Sequence, residues 1–148
     1  MKVLIVEDGT EYTDTFTRFL PHLAWVRAGD GGEALVWLET NACDVIFCDM
    51  RFDRIAETKL LGDRVATAEQ FNGDPVQARQ FLEDHQGNYI LAAIREQGRT
   101  TPVLLSYDFE AEPRRWQRLA ARYSPVDYLP DNAAPSEVER RLRALAAR

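Results

Sequence analysis

Four short apolar runs punctuate the chain: Val3–Val6, Val45–Cys48, Val103–Leu105 and Val126–Leu129, the last broken by Asp127. Ala24–Arg27 is a fifth, weaker run. Unbroken rather than alternating apolarity predicts strands covered on both faces, as in a parallel sheet. The segments between them carry helical spacing. Phe16, Phe19, Leu20 and Leu23 follow the first run, with Pro21 set to end that helix near Leu20. "DGGEALVWLE" fits a second helix, with Asp30 as N-cap and Glu33 three residues on, a capping-box-like pair. Tyr89, Ile90, Ala93 and Ile94 mark a third helix, and Trp116, Leu119 and Tyr123 a fourth. Val138, Leu142 and Leu145 mark the last, with arginines toward its C-terminal end, where the helix dipole favours them. Strict alternation of strand and helix predicts an α/β fold with right-handed crossovers. Five strands favour a flavodoxin-like, doubly wound parallel sheet in the order 2-1-3-4-5.

One segment breaks this rhythm. Where a short strand-to-helix loop would suffice, residues 50–86 intervene between Asp49 and Gly87. A structureless loop of that length is unusual, so residues 52–86 are expected to be a partly helical insertion. "AETKLLGDRVATAEQF" has room for one or two helical turns. "NGDPVQARQFLEDH" reads as a turn, then Asp74 as N-cap, Pro75 at the first helical position, and a helix through Leu82. Leu60, Leu61, Val65, Phe71, Phe81 and Leu82 in this segment need burial, either on the domain's own flank or against a partner or second copy in a homodimer.

Composition narrows the class. With 148 residues, 45% hydrophobic and 28% charged, residues 1–148 suit one globular domain that needs no disulfide or metal staple. No run approaches the ~18 apolar residues of a membrane span, and the apolar run in "MKVLIVED" is too short for a signal peptide. Cys43 and Cys48 lie on one predicted strand, which suits free thiols in a reducing, cytoplasmic setting. The net charge of −6 argues against non-specific nucleic-acid binding. Of 18 basic residues, only Lys2 and Lys59 are lysines. His22 and His85 are isolated, without the spacing of a zinc site. Neither a G-x-G-x-x-G turn nor a P-loop occurs, and no nucleophile-elbow glycines flank Ser106. Asp49 lacks the second acid, two residues on, of the aspartate-nucleophile phosphatases, since Arg51 stands there.

The candidate chemistry lies at the strand ends. Ligands of doubly wound sheets bind beyond the carboxyl ends of the strands, at the switch point. The first strand ends in Glu7 and Asp8 and the third in Asp49, and these strands are neighbours in the expected order. At ~4 Å and an effective dielectric of ~20, each charged pair repels by roughly 4 kcal/mol. Such a cluster takes up a cation or holds protons. A hard divalent ion with oxygen ligands, Mg²⁺ above all, is its natural occupant. The plainer expectation is that each acid caps the helix after it.

At this point the sequence resembles the receiver domains of two-component response regulators. "KVLIVED" is similar to their first strand and acidic pair, and "DVIFCDM" to their phospho-accepting strand. "TPVLLSY" resembles the fourth strand with its hydroxyl switch residue, at Ser106. "VDYLPDN" resembles the fifth-strand region, with the aromatic switch position at Tyr128. "AGDGGEAL" and "SEVERRLRAL" are also typical, and the resemblance spans nearly the whole chain outside about residues 52–86. It implies a stand-alone, non-enzymatic phosphoacceptor in phosphorelay signal transduction. Asp49 would take a phosphoryl group from a histidine kinase or phosphotransfer protein. Glu7 and Asp8 would hold Mg²⁺ directly or through water, with Asp49 and the backbone carbonyl of Arg51 as further ligands. Ser106 would bond a phosphoryl oxygen and Tyr128 would follow it inward, reshaping a face that reads out to a downstream protein partner. The sequence ends with the fifth-strand helix, so output is expected through protein contacts.

The chain departs from the family pattern in two places. Three residues after the aromatic position, where the family carries a lysine, stands Asp131, of the wrong sign for pairing with a phosphoryl group. Arg51, Arg54 and Lys59 follow Asp49 closely and are candidates to supply the missing charge, Arg51 or Lys59 ahead. The insertion is the second departure. Together they raise an alternative, a pseudo-receiver that keeps the fold as a phosphorylation-independent interaction module. A small metal-dependent phosphatase-like enzyme is a third reading.

Overall fold

A computed structural model describes residues 1–148. Strands β1 (Lys2–Val6), β2 (Ala24–Ala28), β3 (Val45–Asp49), β4 (Val103–Ser106) and β5 (Val126–Leu129) form one parallel sheet in the order 2-1-3-4-5. The apolar runs become its buried strands because each is covered twice. Leu4, Val6, Ile46, Cys48, Val103 and Leu105 face one core, and Val3, Ile5, Val45, Phe47 and Leu104 face the other. Helices α1 (Glu11–Phe19) and α7 (Pro135–Ala146) close the second core with Phe16, Val138, Leu142 and Leu145. Helices α2 (Gly31–Thr40), α5 (Gln86–Glu96) and α6 (Pro113–Tyr123) close the first with Ala34, Leu38, Ile90, Leu91, Ile94 and Leu119. No helix is long and apolar enough to cross a membrane, and both cysteines are free thiols.

The local signals act as their chemistry requires. Asp30 accepts the Glu33 amide at 2.8 Å, and Glu33 reaches back to the Gly29 amide, closing a reciprocal cap at the start of α2. Pro21 follows the end of α1 at Phe19, with Leu20 as C-cap. The helical spacing around Phe19 misplaces one residue: Phe19 is 58% exposed, its ring beneath the Arg18 guanidinium. Leu20 and Leu23 fill the core instead, beyond the helix end. Asp127, which interrupts the β5 run, is paired at 3.0 Å with Arg141 of α7.

The segment between β3 and α5 holds a 3₁₀ turn (Glu57–Lys59), α3 (Arg64–Glu69) and α4 (Pro75–Asp84). Asp74 caps α4, accepting the Val76 amide at 2.9 Å, and Pro75 opens it, as expected. Leu60 and Leu82 enter the first core beside Phe52. Fully buried Gln86 stitches the segment to α5: its side chain bonds Leu61 N at 2.7 Å and the Leu61 and Leu82 carbonyls at 3.1 Å. Flank packing thus accounts for Leu60 and Leu82, whereas Val65 remains 73% exposed. Phe71 and Phe81 are half-buried against each other, ring centroids 5.7 Å apart.

Candidate functional site

The strand ends place their polar residues on one edge. β3 and β4 run in register, so Asp49 lies opposite Ser106. Both line a cleft of about 620 Å³ together with Met50, Arg51, Asp84, His85, Tyr107, Asp108, Glu112, Arg115 and Asp131. The Asp49 carboxylate accepts the Met50 amide at 2.8 Å through Oδ1, and no protein donor reaches its Oδ2. Burial pushes its pKa up to about 7, against the opposing pull of the Met50 amide, and the charges of Asp8, Glu7 and Asp131 add to the rise. Asp131 therefore contributes repulsion to the cleft, as its position after β5 suggests.

Glu7 and Asp8 are held by protein donors. Buried Glu7 accepts the Tyr12 amide at 3.1 Å, and the Thr13 amide and hydroxyl at 2.7 Å. It thereby satisfies orphan donors in the first turn of α1, where Thr10 makes no side-chain cap. The Asp8 side chain is only 2% exposed. Its Oδ2 accepts the backbone amides of Asp53 at 3.1 Å and Arg54 at 3.0 Å. Its Oδ1 lies 3.6 Å from Arg54 Nη2. Beneath them, Arg27 of β2 donates to the carbonyls of Gly9, Glu7 and Asp8 at 2.7, 3.1 and 3.2 Å, which fixes the loop that carries both acids.

No three carboxylate, imidazole or thiol side chains gather closely enough to make a metal centre by themselves. The donors nevertheless suit a hard cation. Asp49 has an uncommitted oxygen and a raised pKa, and Asp8 has an oxygen engaged only by the Arg54 side chain. Two carboxylates with carbonyl and water ligands are a normal Mg²⁺ donor set.

The candidates for the missing charge separate. Lys59 lies outside the cleft, 3.9 Å from Asp30 beyond the end of β2. Arg51 lines the cleft, tied to Asp53 and Asp84 at 3.3 Å each. Arg54 pairs with Asp8 and Glu11. Sequence reasoning missed Arg115, which enters the cleft from α6, braced by Glu112 at 3.1 Å and lying over the Tyr107 and Phe109 rings.

Sequence reasoning also missed Tyr12. Its hydroxyl shares a 2.8 Å hydrogen bond with Ser106 Oγ, and its ring meets Phe47 edge-on at 4.9 Å. Burial pushes the Tyr12 pKa up to about 12, so the phenol stays protonated. A signal existed: Tyr12 and Phe16 stand four apart and share the core-facing side of α1. Tyr128 lies elsewhere, half-buried and edge-on to Phe109 and Trp116 at 5.2 and 4.7 Å. Tyr12→Phe is expected to cost about 1 kcal/mol, the worth of one hydrogen bond with a partner left buried. Chemical denaturation would show the loss.

No protein-family model matches the sequence, and no curated protein matches it. Solved structures do. The receiver domain of the Francisella response regulator 1452 is 22% identical, with a TM-score of 0.66, covering 99% of this chain and 96% of that one. The chemotaxis protein CheY4 of Vibrio cholerae is 18% identical, with a TM-score of 0.65 and 97% of each chain covered. The receiver domain of a signal transduction histidine kinase from Syntrophus aciditrophicus is 16% identical, with a TM-score of 0.64, covering 99% and 89%. The likeness is one of fold, and the fold is that of response regulator receiver domains.

Proposed function

We propose that this chain is a receiver switch of two-component signalling in which Asp49 is the phosphoacceptor. The observation that carries the reading is the register of Asp49 with Ser106 at the floor of the largest cleft. The uncommitted Asp49 Oδ2 attacks the phosphorus of a phosphohistidine on a histidine kinase or phosphotransfer protein. The new O–P bond makes an acyl phosphate as the P–N bond breaks, and the departing imidazole leaves with the bonding pair and takes up a proton. Water later hydrolyses the acyl phosphate. The chemistry is confined to the chain's own Asp49, which gains and then loses the phosphoryl group, so the protein acts as a phosphoacceptor.

Mg²⁺ held by Asp8, Asp49 and the Arg51 carbonyl, with Glu7 direct or through water, would keep Asp49 ionised and offset charge on the phosphoryl oxygens. The chain's own residues do the rest. Ser106 exchanges its Tyr12 partner for a phosphoryl oxygen. Arg115 and Arg51, which line the same cleft as Asp131, offer the positive charge that the β5 loop lacks. Release of Tyr12, and movement of Tyr128 among Phe109 and Trp116, would carry the change to the surface read by a downstream protein.

The test is incubation with acetyl phosphate and Mg²⁺ followed by intact-mass measurement. One hydroxylamine-labile phosphoryl group is expected on the wild type and none on Asp49→Asn. Absence of the adduct on the wild type overturns the reading. It would favour the pseudo-receiver, for which the presence of Asp131 in the cleft is the specific observation.

A further inference from the structure

Arg54 is the first arginine of the insertion to reach back to the β1 edge. Its backbone amide and that of Asp53 both point into Asp8 Oδ2, and its guanidinium lies 3.6 Å from Asp8 Oδ1. The same guanidinium grips Glu11 of α1 with two bonds, Nη1 at 2.7 Å and Nη2 at 3.1 Å. Glu11 is accordingly held well below the usual carboxylate range, at about 2, chiefly by this bond, and Arg54 is shifted up in return. The pair lies close over the β1–α1 loop: a Cβ on Gly9 would overlap the Glu11 carboxylate and stand 2.5 Å from Arg54 Nη2. Loop, helix and insertion are thus gathered around one side chain. The resulting arrangement meets both oxygens of a nearly buried aspartate with the chain's own donors.

We propose that Arg54 is a tethered cation that closes the acidic edge in place of a divalent metal, so that Mg²⁺ reaches Asp8 only by displacing it. The inference rests on reading the β1–β3 edge as a cation site. It assigns the insertion a task at that site: it sets how much free Mg²⁺ is needed before the edge is loaded. The displaced guanidinium keeps its Glu11 partner, so it swings aside without becoming an unpaired charge. Because Arg54 is half-exposed and Glu11 more so, salt screens the clamp, and its effect on metal affinity is largest at low ionic strength.

The experiment is isothermal titration of chelator-treated protein with MgCl₂ at low and high salt, on wild type, Arg54→Ala, Arg54→Lys and Arg64→Ala. Arg64 lies on the same insertion, is paired with Glu57 and contributes the same change in net charge. Arg54→Ala is expected to bind Mg²⁺ about fivefold more tightly than wild type, the upper end of what one exposed ion pair is worth. Arg54→Lys is expected to fall between them, and Arg64→Ala to match wild type. Raising the salt should narrow the gap. Thermal melts without metal should place Arg54→Ala below wild type, with Mg²⁺ restoring it. Equal affinity in wild type and Arg54→Ala overturns the clamp while leaving the cation site standing. Equal tightening in Arg64→Ala overturns it as a net-charge effect. No heat with any variant overturns both the clamp and the cation site on which it rests.

Discussion

Asp49→Asn is expected to stabilise the metal-free protein at neutral and alkaline pH and to leave it nearly unchanged in acid. The folded-state pKa of Asp49 is about 7 against an ordinary value of 3.8, with burial the largest cause. A carboxyl whose pKa rises on folding binds its proton more tightly in the folded state. Its contribution is therefore fully present below about pH 4 and is lost as pH rises through about 7. Each pKa unit corresponds to about 1.4 kcal/mol, so the ionised wild type gives up about 2 to 4 kcal/mol across that window. Asparagine keeps the Oδ1 acceptor for the Met50 amide and removes the charge facing Asp8, Glu7 and Asp131. Urea midpoints in EDTA buffers from pH 4 to 8 would check this. The mutant's advantage should open progressively above pH 4 and level off past pH 8. Curves that stay parallel across the range would mean that Asp49 is not held proton-bound by its surroundings.

The fold was legible because its strands are buried on both faces and its helices carry their own punctuation. Val3–Val6 and Val45–Cys48 have no polar residue to offer solvent, so only a doubly covered sheet can use them. β2 was fainter for a physical reason. It is an edge strand, with Ala24 and Arg27 exposed and Trp25 and Val26 only partly buried. Strand order sets the ends of β1 and β3 side by side, as expected, yet Glu7, Asp8 and Asp49 do not close into one three-carboxylate group.

The plainer expectation, that each acid caps the helix after it, holds for Glu7 and fails for Asp8. Glu7 is spent on the amides of Tyr12 and Thr13, and Asp8 on those of Asp53 and Arg54. Both arrangements depend on how a loop closes, which hydrophobic periodicity does not encode. The same limit governs the cations. Proximity in sequence put Arg51 and Lys59 ahead of Arg54, yet the 3₁₀ turn carries Lys59 to Asp30. Arg115, distant in sequence, arrives in the cleft because α6 starts beside the end of β4.

Gly87→Ala is expected to destabilise the protein by about 3 kcal/mol and to disturb the Asp49 site at the same time. Gly87 lies in the first turn of α5, where its amide donates to the Met50 carbonyl at 2.9 Å. A Cβ there would stand 2.5 Å from the Asp49 carbonyl oxygen and 2.9 Å from Met50 Cα. Both neighbours are backbone atoms at the end of β3, so no side chain can swing away. The strand end and the helix must part by several tenths of an ångström. Overpacking of this kind costs typically 1–3 kcal/mol, and the upper end applies because α5 also anchors the insertion through Gln86. Thermal melts of Gly87→Ala beside Gly73→Ala separate packing from backbone freedom. Gly73 has a positive φ and open space around its missing Cβ, so its cost is conformational alone, about 1–2 kcal/mol. Gly87 has no positive φ, so its cost is steric. Parting β3 from α5 also moves Asp49 against Ser106, so the Gly87 variant should lose phosphorylation by acetyl phosphate at temperatures where it is still folded. A Gly73 variant should keep it. Full phosphorylation of Gly87→Ala would show that the β3 end tolerates displacement, and that the register with Ser106 does not position the acceptor.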